Sequence, residues 1–130
     1  MTRLAYADAS ALVKLIHIEP ESGAFHHWYV AAERVATSRV GVVEVDRAAR
    51  RRTHDAERRS YVLRNVDVIE LGAAIGAAAG VVVPPALRTI DSIHIASALA
   101  LGSELDAFVT YDDRLADAAR SVGLPVVRPA

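Results

Sequence analysis

Cysteine is absent from the 130 residues. That excludes disulfides, thiolate zinc sites and cysteine nucleophiles together, and it permits the reducing cytoplasm where the protein is expected. Lysine is reduced to Lys14 alone. The net charge of −1 offers no bulk field for coating nucleic acid, although a local basic patch is compatible with that average. The N-terminal MTRLAYAD lacks the apolar core of an export signal. No glycine-rich phosphate loop follows any predicted strand. The longest uncharged stretch, Leu71 to Leu87, falls short of the ~20 residues a spanning helix needs, and Pro84-Pro85 would end a helix inside it. Gly72, Gly76 and Gly80 mark one stripe of a helix there, which predicts close packing on a neighbour; no membrane association is expected.

What is present is a 52% apolar chain, enough for one globular domain over residues 1–130 that buries roughly 65–70% of its unfolded surface. Short β-rich runs alternate with helix-period segments. LAYA (4–7) reads as a strand, followed by helices over about 9–18 and 21–32, the second with Phe25, Trp28 and Tyr29 inward. A strand at 35–37 leads into a helix capped by Ser38. That helix runs into the Arg-rich segment 47–64, with a break near Thr53–Asp55. Residues 66–71 form a third strand, and a Gly/Ala helix follows. Thr89 is expected to cap an apolar helix reaching Leu101. Strands at 107–111 and 125–128 flank a helix over 113–122. This alternation predicts an α/β fold, a parallel sheet covered by helices on both faces.

Four acids stand out because each lies at a strand end or near a helix start among apolar neighbours: Asp8, Glu44, Asp91 and Asp112. In open parallel sheets ligands bind beyond the carboxyl ends of the strands, where these positions converge. Taken singly, each Asp is also explained as a helix cap. Glu44 is not in a capping position and has Val42, Val43 and Val45 beside it. Four like charges at one sheet edge repel and call for a counter-charge. Mg2+ or Mn2+ answers this, since hard cations take carboxylate oxygens and keep water. Such a site suits phosphodiester hydrolysis, by one ion or two.

The motifs that carry these acids are Asp-x-Ser (Asp8, Ser10), Thr-Ser-x5-Glu-x2-Arg (Thr37, Ser38, Glu44, Arg47), Asp-x-x-His-x-Ala (Asp91, His94, Ala96) and Thr-x-Asp-x-Arg-Leu (Thr110, Asp112, Arg114, Leu115). In that order they resemble the PIN-domain ribonucleases, and among them the VapC-type toxins of toxin–antitoxin pairs. The resemblance implies a PIN-like three-layer α/β/α fold with a five-stranded parallel sheet in the order 3-2-1-4-5. It also implies a Mg2+-dependent endoribonuclease whose catalytic and metal-binding acids are Asp8, Glu44, Asp91 and Asp112. RNA of the tRNA or rRNA class, a small cognate antitoxin and a second copy in a homodimer are the implied partners.

Around the four acids, Ser10 reads either as a bond to an acid or a bound water, or as a plain cap. Thr110 lies two residues before Asp112, on the same strand face, and could steady that carboxylate. Asp113 and Asp117 are alternatives to Asp112. Asp46 is a rival to Glu44, but lies ~200° around the helix from it. His94, one turn past Asp91, reads mainly as a structural histidine, with a general acid or metal ligand as the other possibility. His17, His26, His27 and His54 have no ligand spacing. Seven of the 14 arginines fall between Arg47 and Arg64. Their forks suit phosphate or carboxylate, so Arg47, Arg50 and Arg51 are candidates for contact with RNA or a protein partner, against the alternative of a solvated face. The other functional class open to this sequence is a non-catalytic PIN-like protein-interaction module. A phospho-acceptor domain fits less well, for want of an acidic pair and a late-strand lysine.

Overall fold

Side chains alternate along a strand, so a strand buried on both faces must be apolar throughout, and LAYA meets that demand. In the structure, a computed structural model that describes residues 2–53 and 55–130, β1 (Leu4–Ala7) is buried along its whole length. It sits at the centre of a parallel sheet with β2 (Arg34–Ser38), β3 (Asp67–Ile69), β4 (Ala107–Val109) and β5 (Val126–Val127). The order is β3-β2-β1-β4-β5, the order expected from the resemblance. Tyr6 pairs in register with Ala36 on one side and Phe108 on the other.

Seven helices lie among the described residues: α1 (Ala9–Leu12), α2 (Ser22–Ala31), α3 (Arg39–Arg50), α4 (Ala56–Arg64), α5 (Ala73–Gly80), α6 (Thr89–Leu99) and α7 (Asp113–Ser121). Ala5, Ala7, Ala107 and Val109 face a core with Leu12, Phe25, Val45 and Val62, which belongs to α1 through α4. Tyr6 and Phe108 face the opposite way, against Ile95 and Ala98 of α6 and Leu115 and Ala119 of α7. Three layers result. Phe25 is fully buried, with Trp28 and Tyr29 half-buried around it, as the sequence predicts.

Several boundaries differ from expectation. The helix expected over 9–18 tightens after Leu12 into a 3-10 turn, Val13–Leu15, and stops. Pro20 disfavours helical backbone at Glu19, and Lys14 turns inward to ion pairs with Glu19 at 3.2 Å and Glu21 at 2.7 Å. Thr89 is not a cap. Arg88 holds that position with no side-chain capping bond, and Thr89 is the first helical residue. The strand expected over 125–128 is shorter: β5 pairs only through Val126 and Val127, with Phe108 and Val109 of β4. The break between α3 and α4 falls where expected, with Asp55 capping α4 through the Arg58 N–H at 3.0 Å.

The glycine stripe behaves differently from its reading. α5 does pack on α6, but through Ile75 and Ala79 against Ile93 and Ala96. Gly72, Gly76 and Gly80 have nothing within 4 Å of where a Cβ would lie; instead of a tight contact they line a cavity with Thr89, Ser92 and Ile93 of α6. Among the described residues no helix is long and apolar enough to cross a membrane. His54 lies outside the described residues.

Candidate active site

Asp8 is the first residue beyond β1. Its backbone stays extended and its N–H continues the ladder to the Val109 carbonyl at 3.2 Å, which fixes the side chain at the carboxyl edge of the sheet. The carboxylate then turns back to accept from the Ala11 N–H at 3.1 Å, so it does cap α1. Two more donors converge on it: Ser10 Oγ at 2.7 Å on Oδ1 and Thr110 Oγ1 at 2.7 Å on Oδ2. Ser10 is thus tied to the acid, while its own oxygen accepts from the Tyr111 N–H at 2.8 Å. The Thr110 hydroxyl steadies Asp8 rather than Asp112. β4 lies beside β1 with Val109 in register with Ala7, so the residue after Val109 sits next to Asp8. The contact with Asp112 runs the other way, its N–H donating to Thr110 Oγ1 at 3.1 Å.

Asp8 is 4% exposed, and burial raises its pKa above the ordinary aspartate value; the Ser10 hydrogen bond, the nearby His94 and the hydrogen bonds from Thr110 and Ala11 pull it back only in part. Its negative charge is held in place by three donors and still under-compensated.

Asp91 lies in the first turn of α6, also 4% exposed. One turn on, His94 spends both ring nitrogens. Tyr6 Oη lies 2.6 Å from Nδ1, and Glu44 Oε1 lies 2.6 Å from Nε2. An ionised carboxylate only accepts, so Nε2 carries the proton toward Glu44. Burial pushes the Tyr6 phenol well above its usual pKa, so Tyr6 keeps its proton beside Nδ1. The structural reading of His94 is therefore the one the geometry shows: it orients Glu44. Gly41 makes this possible. A Cβ there would collide with Thr37 Oγ1 and stand 3.3 Å from His94 Cε1, so only glycine lets α3 approach α6 closely enough for Glu44 to reach His94. Asp46 points elsewhere, to Arg50 at 3.3 Å and Arg59 at 3.4 Å.

Asp112 caps α7 through the Leu115 N–H at 3.1 Å and keeps Oδ2 toward the same space. Asp8, Glu44, Asp91 and Asp112 all line one cavity of about 290 Å³, together with Ser10, His94 and Arg88. Asp113 and Asp117 do not line it. Both are highly exposed, and they pair with Arg128 at 2.6 Å and Arg120 at 3.5 Å. Nor do Arg47, Arg50 and Arg51. α3 starts at the carboxyl edge and runs away from it, so Arg47 stands a further ~4.5 Å along the axis from Glu44. Arg50 is occupied by Asp46, and Arg47 and Arg51 are exposed.

Arg88 is the residue the sequence reading missed. Its Nε lies 3.4 Å from Asp91 Oδ2 and its NH2 3.8 Å from Asp112 Oδ2, placing one guanidinium between two of the four acids. The available signal was its spacing, three residues before Asp91 in LRTID, at a helix entry where Thr89 drew attention as the cap.

The donor set consists of hard carboxylate oxygens. Among the described residues no three acidic or histidine groups are gathered tightly enough to hold an ion by themselves. Mg2+ asks less than that, since it is commonly held through one or two carboxylates and keeps several waters. The under-compensated Asp8 and the buried Asp91 fit such an ion, with Glu44 and Asp112 at the rim.

Fold and site define a class: a parallel α/β protein of 3-2-1-4-5 order with carboxylates gathered beyond its central strands. A family model described as PIN domain matches residues 5–121. The chain is 38% identical over 132 residues to Ribonuclease VapC47 of Mycobacterium tuberculosis (strain CDC 1551 / Oshkosh), covering 97% of each chain. It is 41% identical over 131 residues to Ribonuclease VapC35 of the same strain, again covering 97% of each. The chain therefore belongs to the PIN-domain family, among the VapC ribonucleases. Among solved structures, M. tuberculosis VapC20, described as a Sarcin-Ricin loop cleaving toxin, superposes with a TM-score of 0.73 at 16% identity, over 96% of this chain and 99% of that one. VapBC2 from Rickettsia felis, bound to a DNA fragment from its promoter, gives 0.70 at 13% identity over 98% and 99%. At these identities the likeness concerns the fold.

Proposed function

We propose that this protein is a Mg2+-dependent endoribonuclease, with Mn2+ as an alternative ion, and that it acts as the toxin of a toxin–antitoxin pair. The observation that carries this reading is the convergence of Asp8, Glu44, Asp91 and Asp112 on one cavity at the carboxyl edge. Asp8 and Asp91 would hold the ion from the buried floor. Glu44, fixed by His94, and Asp112, fixed by its cap on α7, would orient its remaining waters and the substrate. When bound, the ion supplies a Lewis acid that activates water and steadies charge on the phosphoryl group. Ser10 and Thr110 hold the Asp8 carboxylate in one orientation throughout. No protein nucleophile is required.

RNA of the tRNA or rRNA class is the proposed substrate, and a small antitoxin and a second copy of the chain are the proposed partners, in the cytoplasm. The names of the relatives support RNA as the substrate, and the VapBC2 structure supports the antitoxin. A second reading, a non-catalytic module of the same fold, is favoured by one observation: Arg88 and His94 already touch Asp91, Asp112 and Glu44. Expression in a bacterial host decides between them. The wild type is expected to arrest growth and Asp8→Asn, equally abundant, to be harmless. A wild type as harmless as the variant would support the module.

A further inference from the structure

Arg88 brings to the cavity a charge that the acids alone do not account for. Four carboxylates line this space, and among the described residues Arg88 is the one Lys or Arg side chain that lines it with them. His94 lines it too, but both its ring nitrogens are taken up, Nε2 by Glu44 and Nδ1 by Tyr6. The guanidinium reaches in from the rim: its side chain is 57% exposed, whereas that of Asp91 is 6% exposed.

How firmly Arg88 is held can be judged against another arginine of the same chain. Arg39 grips Glu70 with a two-pronged fork, Nε at 2.9 Å and NH2 at 2.6 Å on separate oxygens. Arg88 instead splits its contacts between two acids, at 3.4 Å and 3.8 Å, distances at the long limit of a charged hydrogen bond and beyond it. It neutralises without clamping. A half-exposed group held this loosely is released at small cost when something else neutralises its partners.

We infer that Arg88 is a displaceable counter-ion: it balances Asp91 and Asp112 while the cavity holds no cation, and turns to a phosphate of the RNA once a divalent ion takes over those carboxylates. This rests on the metal-site reading above. Arginine suits the exchange, since the same planar fork pairs with carboxylate and phosphate, and its place at the N-cap of α6 lets the side chain swing without moving the helix. The same residue would then oppose metal binding and favour RNA binding.

Those opposite signs provide the test. Mn2+ is titrated into the metal-free full-length protein by calorimetry, for wild type, Arg88→Gln and Arg88→Lys. RNA cleavage is then measured at saturating Mg2+. Removing a unit charge a few ångströms from the ion in a half-solvated setting is expected to tighten Mn2+ binding by about tenfold in Arg88→Gln. In the same variant KM for RNA should rise by about tenfold, and the salt dependence of RNA binding should fall by about one counter-ion. Arg88→Lys keeps the charge and should leave Mn2+ affinity near that of wild type. Residues that only support the fold would shift both readouts in one direction. Thermal melts show that each variant is folded, and a Gln variant that fails to fold leaves the Lys variant, whose Mn2+ affinity must then match wild type while its RNA KM rises with loss of the fork. Equal Mn2+ affinity in wild type and Arg88→Gln, or an unchanged KM, would overturn the role of Arg88 and leave the metal site standing. Failure of all three proteins to bind Mn2+ would overturn the metal site, and this inference with it.

Discussion

Asp8→Asn should make the metal-free protein more stable while abolishing its activity. Asparagine has the same shape as aspartate. Its Oδ1 can still accept from the Ala11 N–H and Ser10 Oγ, and its amide can donate to Thr110 Oγ1, which rotates to receive it. What disappears is a buried negative charge that its three donors do not fully compensate. Relief of this kind at a functional site typically contributes about 1 kcal/mol, roughly 4 °C in Tm for a chain of this size. The pH dependence follows from the sign of the shift. The folded-state pKa of Asp8 is raised above the unfolded value of 3.8, so the native state binds that proton more tightly. Its contribution to stability is complete below the unfolded pKa and is lost as pH rises through the raised folded pKa. The gap between variant and wild type should therefore be small at acid pH, widen upward through the folded pKa, and level off above it. Mg2+ should close or reverse the gap, since binding at 100 times Kd stabilises the wild type by ~2.7 kcal/mol and the variant far less. Thermal melts followed by circular dichroism, from pH 4 to 8 in EDTA and again in Mg2+, read all of this. An Asp8→Asn protein less stable than wild type at neutral pH in EDTA would refute the argument that the Asp8 charge is under-compensated.

Three other predictions concern how the acids are held. Gly41→Ala should destabilise by about 1–3 kcal/mol and lower cleavage, because the new methyl overlaps Thr37 and presses on His94; a melt with an unchanged midpoint would show that α3 does not need this approach. Tyr6→Phe removes the hydrogen-bond partner of His94 Nδ1 in a fully buried site and should cost about 1–3 kcal/mol, measured by denaturant unfolding. Asp112→Asn should reduce cleavage by about a hundredfold, on the scale of other preorganised charge-stabilising groups, whereas Asp113→Asn, exposed and paired with Arg128, should cleave like wild type; the reverse ranking would move the fourth acid by one position.

Much of this arrangement was legible in the sequence for definite reasons. LAYA before Asp8 reads as a strand, apolar at every position as suits one covered on both faces, and that placed Asp8 at the carboxyl edge. The sheet order followed from the family resemblance that the four motifs carry. Glu44 stood out because it has no capping duty. What the sequence left open shares a cause: local spacing does not tell where a side chain goes. Arg47 is one turn from Glu44, yet its turn lies farther from the sheet edge and leads out to solvent. Thr110 lies two residues from Asp112, yet the parallel neighbour β1 brings Asp8 closer to its hydroxyl. Arg88 occupies a cap position without capping, so nothing in its immediate sequence pointed to the cavity that its side chain enters. The Gly72, Gly76 and Gly80 stripe shows the same limit, since a row of small residues permits close packing without requiring it and here leaves a cavity beside α6.

The central claim is that the gathered acids serve a divalent ion that cleaves RNA. Its most direct test is cleavage of an RNA mixture by the purified protein in Mg2+, after EDTA, and after Mg2+ is restored in excess. The account predicts cleavage that stops in EDTA and returns with the ion, and none from Asp8→Asn under any condition. Undiminished cleavage in EDTA, or cleavage by Asp8→Asn equal to wild type, would contradict it.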